Sequence, residues 1–378
     1  GQESDTHAGA ETKRGKQTAD TGHDHRSDQM INQRLFDHYG IETTKHLGIG
    51  KICPRPYDTV LIDKRGSCYA CECTSWLPQS IGNLQVKSLN EILAGSTRQH
   101  LQDSVTDGSY RYCNNAQCPW LMSNDLRYFH KDRPSPKVRH IRLAIDDSCN
   151  LRCPSCRKGM IFHKEGPTFR SSIKLADKIN EWLQTQRHPI QVHIGSDGDP
   201  FASHVYRHFM QETPRAKNIS YSILTNGLMF KEFHAQIPHV MSNLTKLGVS
   251  MDGASAATYE KLRLGGKWDK IIENLEHIAS LKSRHGFEFG LQFVIQKDNY
   301  REMSDIIELA AKYQVDRLWL NKIEDWQVMD NWNDQNIFNE LHPLHKDFVK
   351  EFEKVIPVLN REDRRPIVEA PQLHVRSY

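Results

Sequence analysis

The chain reads as an α/β protein on three observations. Six apolar runs of strand length recur with helical periodicity between them. A proline-containing linker precedes the first run, and all nine cysteines lie ahead of the second. The runs at 138–145, 190–194, 219–224, 247–251, 290–295 and 317–320 read as strands, and helical spacing is clearest over 173–183, 268–281 and 303–313. Six such units in about 190 residues predict a parallel sheet covered by helices, either a partial barrel or a doubly wound sheet. Ligands in such folds sit at the C-terminal ends of the strands, so chemistry is expected in those loops.

Composition narrows the class. The 378 residues are 38% hydrophobic and 26% charged, ordinary values for a globular protein with ample chain for a core. No apolar run approaches the roughly 18 residues that span a bilayer. Lys+Arg 50 against Asp+Glu 47 is too even to point to a nucleic acid or a membrane as partner. The polar N-terminus lacks the pattern of a secretory signal, which gives the expectation of a reducing, cytoplasmic location. Nine cysteines there are expected to be metal ligands, catalytic groups or buried thiols before disulfides.

Residues 1–28 carry almost no apolar side chains and read as a disordered arm. Met30, Leu35 and Phe36 suggest a short helix ahead of Cys53. Residues 29–132 form a small, loop-rich, cysteine-bearing module with turn signals at 63–67, 81–83 and 107–109. Within it Ser88 and Glu91 have capping-box spacing at the start of a helix over 88–102. The DRPSPK segment, 132–137, reads as a linker, 138–325 as the β/α domain, and 326–378 as a helical extension with a helix near 345–358. Its Trp326, Trp332, His342, His345 and His374 are expected to pack over the open sheet edge.

Directly after the first strand comes Asp146-Asp147-Ser148-Cys149-Asn150-Leu151-Arg152-Cys153-Pro154-Ser155-Cys156, a C-x3-C-x2-C run. Three thiolates can hold three corners of a 4Fe-4S cluster and leave one iron open, although three cysteines alone also permit a zinc site. Further strand-end motifs follow in order: Gly195-Ser196-Asp197-Gly198-Asp199-Pro200, Thr225-Asn226-Gly227, Ser250-Met251-Asp252-Gly253 with Arg263 beyond, and Gln296 with Asn299. In this order the chain resembles the radical S-adenosylmethionine (radical SAM) superfamily over about half its length. The resemblance implies a partial (β/α)6 TIM-like barrel with a small, loop-rich N-terminal iron-sulfur module. It also implies a 4Fe-4S cluster on Cys149, Cys153 and Cys156 that binds S-adenosyl-L-methionine through the open iron. Gly198 and Asp199 would meet the amino group of that cofactor, Ser250 the ribose and Arg263 the methionyl carboxylate. Asn226, Asp252 and Gln296 would complete the cofactor site. One departure is Ser155, where the superfamily usually has an aromatic residue.

The earlier cysteines look like the auxiliary-cluster module called SPASM, or its shorter twitch form, here placed ahead of the barrel instead of after it. Tyr69-Ala70-Cys71, Gly82-Asn83 and the helix from Ser88 carry that likeness. It implies one auxiliary 4Fe-4S cluster on Cys53, Cys71, Cys113 and Cys118, with Cys68 and Cys73 left over. The competing reading is a zinc ribbon on Cys68, Cys71, Cys113 and Cys118.

These resemblances imply an enzyme that cleaves S-adenosylmethionine reductively to a 5′-deoxyadenosyl radical and abstracts hydrogen from a substrate. Relatives with such modules mostly modify peptides, so a peptide or protein is the first expected substrate, changed by oxidation, cross-linking or epimerisation. A small polar substrate such as an aminosugar is the alternative, and a non-catalytic zinc-ribbon scaffold the third reading. Cys68 or Cys73 is a candidate hydrogen donor, and a flavodoxin or ferredoxin the expected electron donor.

Overall fold

The computed structural model describes residues 50–122 and 129–370. The arm at 1–28, the helix expected near Met30 and His374 lie outside the described residues. One ten-stranded sheet runs through the molecule in the order β10-β9-β8-β7-β6-β5-β4-β1-β2-β3. Strands β4 (His140–Ala144), β5 (Ile190–Ile194), β6 (Ile219–Thr225), β7 (Leu244–Ser250), β8 (Glu288–Ile295) and β9 (Arg317–Lys322) pair in parallel, in chain order. These are the six strands that the sequence predicts. Helices α1 (Gly166–Thr185), α2 (His204–Glu212), α3 (Trp268–His285) and α4 (Met303–Lys312) fill the crossovers.

Alternation along each strand sorts the side chains between two faces. In β5 Ile190, Val192 and Ile194 are buried in the apolar layer, while Gln191 and His193 on the other face are partly exposed. The same holds in β4, where Ile141 and Leu143 are buried and Arg142 is partly buried on the concave face. The apolar layer is the core, and the concave face is polar.

The cysteine-rich module is less irregular than expected. Its strands β1 (Thr59–Asp63), β2 (Ser67–Tyr69) and β3 (Ser80–Asn83) extend the barrel sheet, β1 lying parallel to β4 with Leu61 opposite Arg142. Residues 81–83, expected as a turn, therefore belong to a strand. Gly82 there lies under Ile92, whose Cγ1 would be 3.0 Å from a Cβ. The capping box forms as expected: the Ser88 hydroxyl accepts from Glu91 N–H at 3.3 Å, and Ser88 N–H donates to the Glu91 carboxylate at 2.8 Å.

The module shares the barrel's core through Val60, Ile62, Leu89 and Ile92. Helix α1 adds polar fastening, with Trp182 Nε1 donating to Asn90 Oδ1 at 2.8 Å and Lys178 Nζ to Leu84 O at 2.8 Å. Arg98 is the central polar clasp. It is buried and donates to the carbonyls of Pro56 at 3.1 Å, Leu93 at 3.0 Å, Tyr57 at 2.5 Å and Pro136 at 3.2 Å, tying the linker to the module. Arg98→Met leaves these acceptors without that donor and is expected to cost about 2–4 kcal/mol. A lowered urea midpoint at unchanged slope would show it.

The open edge of β9 is closed differently from expectation. Strand β10 (Ile367–Glu369) pairs with it in parallel, Val368 opposite Leu318. The expected helix, His345–Glu353, packs instead beside Tyr300, whose hydroxyl reaches Asp347 at 2.5 Å. A three-residue strand supplies backbone partners to an edge where a helix cannot.

Candidate functional site

The loop leaving β4 carries Cys149 and Cys153 buried and Cys156 exposed. Cys149 N–H donates to Ile161 O at 2.8 Å, and a turn places Cys156 N–H on Cys153 O at 2.9 Å. Donors surround the first two sulfurs: Leu151 N–H at 3.4 Å and Asn226 Nδ2 at 3.7 Å from Cys149 Sγ, and Arg263 Nη1 at 3.9 Å from Cys153 Sγ. Such donors favour thiolate and soften the negative charge of a bound cluster. Without metal, burial pushes the Cys149 thiol up to about 11, with Asp199 adding to the shift, and raises Cys153.

The loop after β5 braces this platform. Gly195 has φ +100° and Gly198 φ +67°, both left-handed. A Cβ on Gly198 would stand 2.7 Å from the carbonyl oxygens of both Asp146 and Ser148, so only glycine lets the two loops touch. Gly198→Ala is expected to displace the cysteine loop and to lower iron content from about eight toward about four per chain, a loss confined to the barrel cluster. Iron and sulfide analysis beside wild type would test it.

Asp199 is buried and accepts four hydrogen bonds. Phe201 and Ala202 N–H reach Oδ1 at 3.0 Å each, and Thr225 Oγ1 and Asn226 N–H reach Oδ2 at 2.7 Å each. Its direct work in this fold is to lock the ends of β5 and β6 together. Asn226 follows from that lock, its Nδ2 donating to Asn150 Oδ1 at 2.7 Å inside the cysteine loop. At the end of β7, Asp252 accepts from Val294 N–H at 3.0 Å and pairs with Arg263 Nε at 2.8 Å, which aims Arg263 at Cys153. Ser250 lies opposite Gln292 and is partly exposed on the concave face. Gln296 is buried at the end of β8, and its Nε2 has no partner among the described residues.

Two further neighbours border the site, of which Arg157 escaped sequence reasoning. Arg157 donates to Asp147 O at 2.6 Å and is held above its ordinary value by Cys156, Cys149 and Asp197, so it is a cation beside the cysteine loop. Tyr259 is buried, with its hydroxyl unpartnered among the described residues and electrostatically close to Arg263, Cys153 and Asp252. Its contact with Gly253, where a Cβ would meet Tyr259 N at 2.4 Å, was the available signal in the Asp-Gly pair.

In the module Cys53, Cys71, Cys113 and Cys118 are mutually close enough to raise one another's thiol pKa. Burial is the larger cause, pushing Cys71 up to about 12. The zinc-ribbon set is not assembled: Cys68 sits in β2 with its thiol 3.7 Å from Gly66 O, and Asp63 is the charge acting on it. Cys53 takes the place that the ribbon reading gave to Cys68. Tetrahedral zinc would draw its sulfurs to about 3.8 Å of one another. Among the described residues no three cysteine sulfurs lie within 4.8 Å of one another; the one group so drawn together is Asp146, Asp147 and His163. The thiolate chemistry of both sets is that of iron-sulfur ligands. Cys73 borders the auxiliary set near Cys118 and Arg142.

Residues 145–310 match the radical SAM superfamily, and residues 53–119 match the SPASM iron-sulfur cluster-binding domain. The chain carries a radical SAM domain with a SPASM domain in front of it. A radical SAM domain takes a 4Fe-4S cluster and S-adenosylmethionine, and a SPASM domain takes iron-sulfur clusters of its own. The chain is similar to GTP 3',8-cyclase of Synechocystis sp., at 24% identity over 181 residues, 48% of this chain and 53% of that protein. GTP 3',8-cyclase of Limosilactobacillus fermentum is 24% identical over 200 residues, 50% of this chain and 57% of that protein. The chain thus spans about half the length of the curated relatives it matches. Among solved structures, Streptococcus suis SuiB bound to precursor peptide SuiA superposes with a TM-score of 0.44 at 14% identity, covering 61% of this chain and 48% of that one. No helix among the described residues is long and apolar enough to cross a membrane.

Proposed function

We propose that the protein is a radical SAM enzyme that abstracts hydrogen from an unactivated C–H bond of a peptide or protein and so oxidises, cross-links or epimerises it. The observation that carries this reading is the pairing of β1 with β4. It joins the module that carries Cys53, Cys71, Cys113 and Cys118 directly to the strand that leads into Cys149, Cys153 and Cys156. A 4Fe-4S cluster with an open iron supplies, when bound, the electron that splits S-adenosylmethionine. The chain's own residues do the rest. Cys149, Cys153 and Cys156 would hold that cluster, Asp199 and Gly198 fix the loop that carries it, and Arg263, oriented by Asp252, places a cation beside Cys153. Cys53, Cys71, Cys113 and Cys118 would hold the auxiliary cluster, which would take an electron from a substrate radical or position the substrate.

A small polar substrate is the second reading. The curated relatives are named for a reaction of GTP, and the concave face carries polar side chains such as Gln191 and His193 of β5. Anaerobic incubation of the reconstituted protein with dithionite and S-adenosylmethionine tests the enzymatic claim common to both. 5′-Deoxyadenosine above a protein-free blank is expected, and its absence from fully loaded protein would overturn it. Challenge with peptide pools against small polar metabolites, scored by stimulated 5′-deoxyadenosine and by mass change, separates the two substrates.

A further inference from the structure

Two part-buried side chains on the concave face, the cationic Arg142 and a His193 that burial keeps neutral, each retain a polar atom without a partner among the described residues. Arg142 in β4 and His193 in β5 are register partners, so they stand side by side on the same face of the sheet. Arg142 Nε and His193 Nε2 are both closed off from solvent, and neither has a hydrogen-bond partner among the described residues. Arg98 shows what a structural arginine looks like in this protein: four carbonyls answer its guanidinium. The Arg142 guanidinium has none.

The surrounding charges do not compensate. Glu72, the carboxylate acting most strongly on Arg142, is paired with Arg55 at 2.5 Å. His193 is turned by Ser222, whose Oγ lies 3.2 Å from Nδ1, and Ser222 is the register partner of Lys246. Lys246 acts electrostatically on His193 from there and belongs to a balanced network, paired with Glu288 at 3.1 Å, which also meets Arg317 at 3.0 Å, itself paired with Glu369 at 2.8 Å. Among the described residues the Arg142 guanidinium is therefore the charge on this face without a counterion of its own, and it stands beside a second shielded, unanswered polar atom, His193 Nε2.

We propose that Arg142 and His193 form a seat for an oxyanion of the substrate, a carboxylate or a phosphate. The fork of a guanidinium donates to two oxygens of such a group, and the neutral imidazole donates a third hydrogen bond. The seat lies two residues below the end of β4 at Ala144, about 7 Å beneath the cysteine loop at one strand rise per residue. An anchored oxyanion there leaves the rest of the substrate to extend upward, toward Ser250 and the cofactor loops. Arg142 is also within electrostatic reach of Cys71 and Cys73, so the seat faces the SPASM domain on its other side. The assignment of this face as the substrate chamber rests on the function proposed above.

The test is calorimetric titration of the reconstituted full chain with inorganic phosphate and, separately, with glutarate. Saturable one-to-one binding of at least one probe is expected, weakened tenfold or more in Arg142→Gln and in His193→Gln and partly retained in Arg142→Lys. The partial rescue by lysine is a response that a merely structural lesion would not give. Binding of phosphate alone assigns a phosphorylated substrate, and binding of glutarate alone a carboxylate such as an acidic side chain or chain terminus. If neither probe saturates, or if binding survives both glutamine substitutions, the seat is wrong. 5′-Deoxyadenosine formation by the same wild-type batch keeps the two claims apart. Cleavage without anion binding overturns the seat alone, and anion binding without cleavage overturns the enzymatic reading alone.

Discussion

Replacing Cys149, Cys153 and Cys156 together with alanine is expected to lower the iron of anaerobically reconstituted protein from about eight to about four per chain and to abolish 5′-deoxyadenosine formation. The fold is expected to survive. The three cysteines sit on a loop beyond the end of β4, and the neighbouring contacts that hold the loop in place do not pass through sulfur: Asp199 N–H on Ser148 O at 2.8 Å, Arg152 N–H on Leu264 O at 3.0 Å, and the Asn226–Asn150 amide pair at 2.7 Å. Iron, sulfide and product are measured on one preparation. Retention of about eight irons, or of product, in the triple variant would disprove that these thiols hold the reactive cluster. The expected effect is total because no neighbouring group substitutes for a missing ligand. Asp147 is already paired with His163 at 2.7 Å, and Asp199 is saturated by four donors.

The architecture was legible in the sequence wherever alternation or helical spacing ran long enough. Strand β5 falls on its expected bounds because Ile190, Val192 and Ile194 alternate cleanly. Strand β7 begins three residues earlier than expected because Thr245 and Lys246, both polar, lie in the strand before its continuous apolar run. Strand β10 was missed because three residues carry no period, and β3 because Gly82 is a turn residue in most settings and here makes room for Ile92. The cysteine sets were legible because chemistry constrains residue type and spacing together. Arg142, His193 and Arg157 were not. A polar residue in a strand usually faces water, and only the closing of the sheet around its concave face makes those of β4 and β5 inward-facing. The role of Asp199 was half legible. The Gly198-Asp199-Pro200 pattern marks a tight approach, but that the four acceptor positions of Asp199 are filled by Phe201, Ala202, Thr225 and Asn226 depends on how β6 ends against β5.

The auxiliary site carries the other large effect. The Cys113→Ser, Cys118→Ser double variant is expected to lose about four irons, to contain no zinc in their place, and to melt well below wild type. Few apolar residues hold these loops besides the small cluster of Ile52, Tyr57, Val105, Tyr110 and Phe129, fastened by Tyr110 Oη donating to Lys51 O at 2.7 Å and accepting from Cys53 N–H at 3.1 Å. Cluster binding to the folded state alone then becomes stability. The pH response distinguishes this origin from simple packing. In metal-free protein, burial keeps the Cys71 thiol protonated up to about 12, whereas the unfolded chain ionises near the ordinary value of 9.0. Above that value the folded state binds more protons than the unfolded one, so the stability of metal-free protein falls as pH rises from about 9 toward about 12. With the cluster in place the ligand thiols are already ionised, and the alkaline loss shrinks to that of buried groups outside the set, such as the Cys68 thiol and the Tyr221 phenol, each pushed up to about 12. Urea midpoints of chelator-stripped and reconstituted protein at about pH 8 and about pH 10 are expected to diverge with rising pH, the stripped form weakening more. Parallel slopes for the two forms, or wild-type protein carrying one zinc and about four irons, would return the module to the ribbon reading and leave the barrel cluster as the only iron site.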